Sequence, residues 1–141
     1  IMALDYGTKR TGIAVSDPAR IIAGGLDTVP THQLRDWLKR YIAAENVDIV
    51  VVGRPVQSSG APSDTLPKAE ELARWIAKEF TQAKVVMYDE RFTSVMAHRA
   101  MIDGGMKKMQ RRDKAVVDKI SATILLQGFM ESLQYQQMRQ G

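Results

Sequence analysis

The first third of the chain shows short apolar runs with the period of β-strands. Ile1–Tyr6, Ile13–Val15 and Ile21–Val29 are such runs, and they are separated by a turn between Gly7 and Gly12 and by Asp17-Pro18. Runs of this length bounded by glycine, proline and aspartate are typical of strands joined by tight connections. The pattern therefore predicts a three-stranded β-meander.

From residue 33 onward the apolar positions follow alternating helix and strand periods. Continuous apolar segments over Val47–Val52 and Val85–Tyr88 predict two buried strands. Spacings of three and four residues predict helices, with the remaining tail from Gln134 expected to fray. The predicted helices are Gln33–Glu45, Leu66–Phe80, Thr93–Ile102 and Asp113 to about Leu133. This order indicates an α/β fold with a mixed sheet, hairpins first and parallel crossovers later.

Length and composition narrow the class of protein. A chain of 141 residues predicts one domain, spanning residues 1–141. It contains no cysteine and only two histidines, which excludes disulfides, thiolate metal sites and a cysteine nucleophile. No apolar run approaches the ~20 residues that cross a bilayer, and no signal-peptide pattern is present. A cytoplasmic location is therefore expected, and the net charge of +4 permits a nucleic-acid partner.

Three carboxylates stand where the pattern favours apolar side chains. Asp5 interrupts the first strand near its end, and Glu90 follows the Val85–Tyr88 strand. Asp118 continues a helical stripe with the apolar residues Ala122, Leu125 and Phe129. Ligands of open α/β sheets bind at the carboxyl ends of the strands, and a buried carboxylate is costly unless it is paired or binds a metal. The three acids could thus form a Mg²⁺ or Mn²⁺ site, or each could be structural.

The structural alternative has specific partners. Asp118 could pair with Lys114 one helical turn earlier, and Glu90 could pair with Arg91 or Arg54. An aspartate at a strand end is also a common turn former.

Two segments have the composition of phosphate-binding elements. The turn after Asp5 offers backbone N–H groups together with Lys9 and Arg10. A basic segment before Asp118 could contact a nucleic-acid backbone or could be a solvated surface. The candidate contacts in that segment are Lys107, Lys108, Arg111 and Arg112.

Four motifs together resemble a known family over nearly the whole chain. The motifs are Ala3–Asp17, Val52-Gly53-Arg54-Pro55, Asp89–Ser94 and Asp118. They are similar to those of the YqgF family, bacterial nucleases described as Holliday-junction-resolvase-like or as acting on precursor 16S ribosomal RNA. Arg54 and Lys119–Ala122 depart from the family pattern.

The resemblance implies a ribonuclease H-like fold with a five-stranded mixed sheet flanked by helices. It implies that Asp5, Glu90 and Asp118 are both the catalytic residues and the ligands of one or two Mg²⁺ or Mn²⁺ ions. The reaction implied is metal-dependent hydrolysis of phosphodiester bonds, in processing the 5′ end of precursor 16S rRNA. Arg91 joins Lys9, Arg10 and the basic segment as a candidate substrate-binding residue.

Several alternatives stay open from the sequence. The substrate could instead be branched DNA, as for a Holliday junction resolvase, and the state could be monomer or homodimer. Ribosomal particles are further candidate partners, whereas a membrane is not expected. The chain could also be a non-catalytic nucleic-acid-binding factor or a nucleotide-binding module.

Overall fold

A computed structural model describes residues 1–20, 22–54, 64–89 and 114–140, the side chains of residues 114, 133 and 140 excepted. The helix predicted over Thr93–Ile102 lies outside these ranges. Six of the predicted site residues also lie outside them: Glu90, Arg91, Lys107, Lys108, Arg111 and Arg112.

Five strands form one mixed sheet in the order β3-β2-β1-β4-β5. The central strand β1 pairs antiparallel with β2 and parallel with β4, and β5 continues the parallel part. The register between β2 and β3 shifts between Ile13 and Ala14, which leaves Leu26 as a bulge. The strands are β1 (Met2–Asp5), β2 (Arg10–Ser16), β3 (Ala23–Pro30), β4 (Ile49–Arg54) and β5 (Lys84–Asp89).

Helices cover both faces of the sheet because the side chains of each strand alternate between the faces. Met2 and Leu4 of β1 belong to a core shared with α1 (Leu34–Ala44) and α2 (Leu66–Glu79). Ala3 belongs to a second core on the opposite face, shared with α3 (Lys114–Met130). A short 3₁₀ turn, Thr31–Gln33, leads from β3 into α1. The predicted meander, mixed sheet and flanking helices are thus confirmed.

The prediction for the C-terminal segment was wrong. The helix from residue 114 ends at Met130, and residues Leu133–Gln140 form a further helix, α4, instead of a frayed tail. Ser132 separates the two helices, since its hydroxyl donates to the Phe129 carbonyl at 2.6 Å and accepts from the backbone N–H of Tyr135 at 3.2 Å. Tyr135 is buried beside Phe129, with ring centroids 5.3 Å apart, and this contact holds α4 in place.

Within the described ranges, no helix combines the length and the hydrophobicity needed to cross a bilayer.

Candidate active site

Asp5 is the last residue of β1, at the edge of the sheet where the parallel strands end. Alternation along β1 places it on the same face as Ala3, which is the face covered by α3. Its partner across the antiparallel pair is Gly12 of β2. Asp5 is half-buried and therefore sits where the core of this face meets solvent.

Gly12 lies directly against the backbone of α3. A Cβ atom built on Gly12 would lie 2.0 Å from the carbonyl oxygen of Asp118 and 2.5 Å from its carbonyl carbon. Both are backbone atoms of a helix, so they cannot yield as a flexible side chain would. Only glycine fits here, and it brings the backbone of Asp118 against the strand position paired with Asp5.

Arg10 holds the carboxylate of Asp118. Its Nε–H donates to Oδ2 of Asp118 at 2.9 Å, across 108 positions of sequence. The two side chains are 35% and 26% exposed, so solvent only partly screens the pair. Asp118 thus has Arg10 as a partner, while the side chain of Lys114, the partner named in the structural alternative, lies outside what the structure describes. Asp118 lies beside the buried stripe, as predicted, since Ala122, Leu125 and Phe129 are buried.

The turn between β1 and β2 is tied to the start of the 3₁₀ turn. Thr31 donates its hydroxyl to the Gly7 carbonyl at 2.6 Å and its backbone N–H to the Lys9 carbonyl at 2.9 Å. The hydroxyl of Thr11, a fully buried residue, lies 3.0 Å from that of Thr31. These bonds fix the backbone on which Lys9 and Arg10 stand. Lys9 itself is exposed.

Two further strands end at the same edge. The last residues of β4 and β5, Arg54 and Asp89, are paired in register. Asp89 is followed directly in the sequence by Glu90, the third predicted acid, which lies outside the described residues. Arg54 is exposed at this edge and places a cation near the ends of both strands.

The two described acids suit a hard divalent cation. Carboxylate oxygens are the ligands that Mg²⁺ and Mn²⁺ prefer, and the chain has no thiol to compete. The described ranges contain no cluster of three aspartate, glutamate, histidine or cysteine side chains. A metal site formed by Asp5, Asp118 and Glu90 therefore stays a prediction, since Glu90 lies outside the described residues.

Sequence reasoning missed the roles of Gly12 and Thr31. Gly12 was interpreted only as the end of a turn, yet it lies inside β2. A glycine within a strand often marks a close approach of another backbone, and this signal could have identified it. Thr31 carried no such signal, because its bonds to Gly7 and Lys9 depend on the hairpin geometry.

Comparison with known proteins gives the family. Residues 1–132 match the family model described as "RuvX: Holliday junction resolvase". The chain belongs to this family. The matched range includes Asp5, Gly12 and Asp118.

Relatives and solved structures agree with this assignment. A protein of Phocaeicola vulgatus named "Putative pre-16S rRNA nuclease" is 49% identical over 135 residues, covering 96% of this chain and 97% of its own. A protein of the same name from Bacteroides thetaiotaomicron is 48% identical, with coverage of 96% and 98%. The fowlpox virus resolvase, solved with substrate Holliday junction DNA, matches with a TM-score of 0.56 at 16% identity and covers 94% of this chain and 99% of its own. At that identity the likeness concerns the fold, and it confirms the predicted ribonuclease H-like class.

Proposed function

We propose that this protein is a nuclease that hydrolyses phosphodiester bonds with the help of Mg²⁺ or Mn²⁺. The observation that carries the proposal is the convergence of Asp5 and Asp118, through Gly12, at one edge of the sheet. Family membership supports the reaction class, a hydrolase acting on nucleic acid. A pure binding protein would gain nothing from two acids beside a bound phosphate, because they repel it.

The side chains at this edge have separate tasks in the proposed reaction. Asp5, Asp118 and Glu90 would hold the metal through their carboxylates. A divalent ion bound there supplies an acidified water as nucleophile and stabilises the charge of the leaving oxygen. Arg10 keeps the Asp118 carboxylate oriented through Nε, which uses one of the five N–H donors of its guanidinium. The remaining donors of this partly exposed side chain, together with Lys9, are available to a substrate phosphate.

The substrate we favour is the 5′ end of precursor 16S rRNA. Relatives that share about half of this sequence over nearly its full length carry pre-16S rRNA in their names, without specifying an end. This assignment would place the protein in the cytoplasm, in contact with ribosomal particles. Arg91 and the basic residues Lys107, Lys108, Arg111 and Arg112 would then contact the RNA backbone.

Branched DNA is the second candidate. The family description names a Holliday junction resolvase, and the fowlpox virus structure was solved with junction DNA. Symmetric cutting of a four-way junction requires two active sites, so this alternative also requires a homodimer.

A cleavage assay with three substrates separates these candidates. Precursor 16S rRNA ends, an unrelated single-stranded RNA and a four-way DNA junction are each incubated with Mg²⁺, with Mn²⁺ and with a chelator. We expect metal-dependent cutting that favours the rRNA end. Symmetric cutting of the junction alone would assign the protein as a resolvase. Salt-sensitive binding without any cutting would contradict the nuclease proposal.

A further inference from the structure

A cavity of about 200 Å³ opens on the other face of the same sheet edge. Its apolar walls are Tyr6, which follows Asp5 directly, Leu34 of α1 and Leu72 of α2. We propose that this cavity binds one nucleotide of the substrate strand, next to the phosphate that is cut. The proposal rests on the proposed nuclease function and adds a subsite to it.

The location of the cavity connects it with the candidate active site. Tyr6 belongs to the core under α1 and α2, whereas Asp5 faces α3, so the two neighbours point to opposite faces of the sheet edge. Thr31 also lines the cavity and bonds to the Gly7 carbonyl in the turn that carries Lys9 and Arg10. A strand crossing this edge beside Asp5 would place its next nucleotide at Tyr6.

The charged lining fits a nucleotide better than a simple anion. Arg35 and Lys68 supply positive charge, and Lys68 has no partner among the residues that the structure describes. Arg35 lies 3.9 Å from Glu71, a loose pair whose side chains are 49% and 67% exposed. The Glu71 carboxylate would repel a bare phosphate but can accept a hydrogen bond from a base amino group.

The size and walls of the cavity suit one base. Pockets for drug-sized ligands usually measure ~300–1,000 Å³, so a cavity of about 200 Å³ takes a smaller group. Tyr6 offers an aromatic ring, and aromatic rings bind the flat faces of bases without much sequence preference. Leu34 and Leu72, the other apolar residues of the cavity lining, are almost fully buried.

The inference is tested by binding of mononucleotides without metal. AMP, CMP, GMP, UMP and inorganic phosphate are titrated separately into the full chain, and backbone amide shifts are followed by NMR. We expect saturable shifts at Tyr6, Arg35 and Leu72 with at least one nucleotide. Lys68→Glu should weaken this binding at least tenfold. This variant should fold normally, because an acidic residue in the first turn of a helix is favourable.

A matched variant controls for net charge. Lys84→Glu makes the same charge change at the first residue of β5. This residue lies at the amino-terminal end of the parallel strands, away from the cavity, so the variant should leave nucleotide binding unchanged. Equal weakening by both variants, equal shifts with inorganic phosphate, or no saturable shift would each overturn the proposal. Because no metal is present and no bond is cut, such a failure would leave the nuclease proposal standing. Conversely, loss of the nuclease proposal would remove the role of the cavity as a substrate subsite, and the nucleotide titration would still report binding at the cavity.

Discussion

The two faces of the central sheet are built in different ways. Under α1 and α2, large side chains such as Leu38, Val52 and Ile76 are fully buried. Among the described residues, this core contains no aspartate or glutamate. Under α3, the helix lies close to the sheet, and at Gly12 no side chain separates the two backbones. That same face carries both Asp5 and Asp118 at its edge.

The two faces contribute differently to the stability of the fold and to the proposed reaction. One face contributes apolar burial, which is the main favourable term in folding. The other face gives up side-chain volume at Gly12 so that a helix can bring a carboxylate to the end of β1. Substitutions in the buried core of the first face, away from the cavity lined by Tyr6, should therefore change stability and leave activity per folded molecule intact. Substitutions on the second face should change activity more than stability.

The largest loss of stability is expected from Leu38→Ala. Leu38 is fully buried under α1, and removing such a side chain costs ~2–5 kcal/mol in unfolding free energy. Urea unfolding measures the loss, and cleavage per folded molecule should stay near wild type. Leu26→Ala is the matched control, since Leu26 is 37% exposed on the edge strand and its loss should cost under ~0.5 kcal/mol. A large fall in the activity of folded Leu38→Ala would contradict the expectation that the buried core of this face affects stability alone.

The second largest loss of stability is expected from Gly12→Ala. The added methyl carbon would overlap the carbonyl oxygen of Asp118, so α3 must shift, at a cost of ~1–3 kcal/mol. Cleavage should fall strongly, because the shift moves Asp118 away from Asp5.

Gly128→Ala tests whether this loss is specific to the site. A Cβ at Gly128 would meet the ring of Tyr88 at 3.7 Å, an ordinary contact. Within a helix, alanine in place of glycine stabilises by up to ~1 kcal/mol. Thermal unfolding and cleavage assays should therefore separate the two alanine variants, and equal behaviour would argue against the close approach at Gly12.

A smaller change in stability is expected from Arg10→Gln. The pair with Asp118 is partly exposed, so its loss should cost no more than ~1 kcal/mol. Loss of a partner that orients a metal ligand typically lowers activity ~10–100-fold, and we expect kcat/KM to fall in that range. Arg10→Lys should recover stability without full activity, because lysine lacks the planar donor set. The exposed Arg74 of α2 supplies the control, Arg74→Gln, which should keep wild-type kcat/KM.

The smallest change is expected from Gly25→Ala. A Cβ there would lie 2.6 Å from Cγ of Lys119 and 3.1 Å from Oγ1 of Thr123, so the Lys119 side chain must change its rotamer to make room. We expect a loss of about 0.5 kcal/mol and unchanged cleavage. Adding Lys119→Ala should relieve the overlap, so the two substitutions should be coupled in a double-mutant cycle. Additive effects would show that Lys119 does not pack on Gly25.

Much of the fold was predictable because the apolar periods are local. The meander and the alternating helices and strands that follow it were read from spacing alone, and Asp5 and Asp118 stood out because each breaks an apolar pattern. The ion pair between Arg10 and Asp118 was not predictable, since it joins residues 108 positions apart. The same holds for α4, which depends on burial of Tyr135 against Phe129.

The most direct test of the site compares three aspartate-to-asparagine variants in one Mg²⁺-dependent cleavage assay on the preferred substrate. Asp5→Asn and Asp118→Asn should each lower kcat on the order of 10²-fold or more, with cooperative unfolding retained. Asp36→Asn, on the exposed first turn of α1, should cleave like wild type. Full activity of folded Asp5→Asn or Asp118→Asn would contradict the assignment of these two acids as the core of the active site.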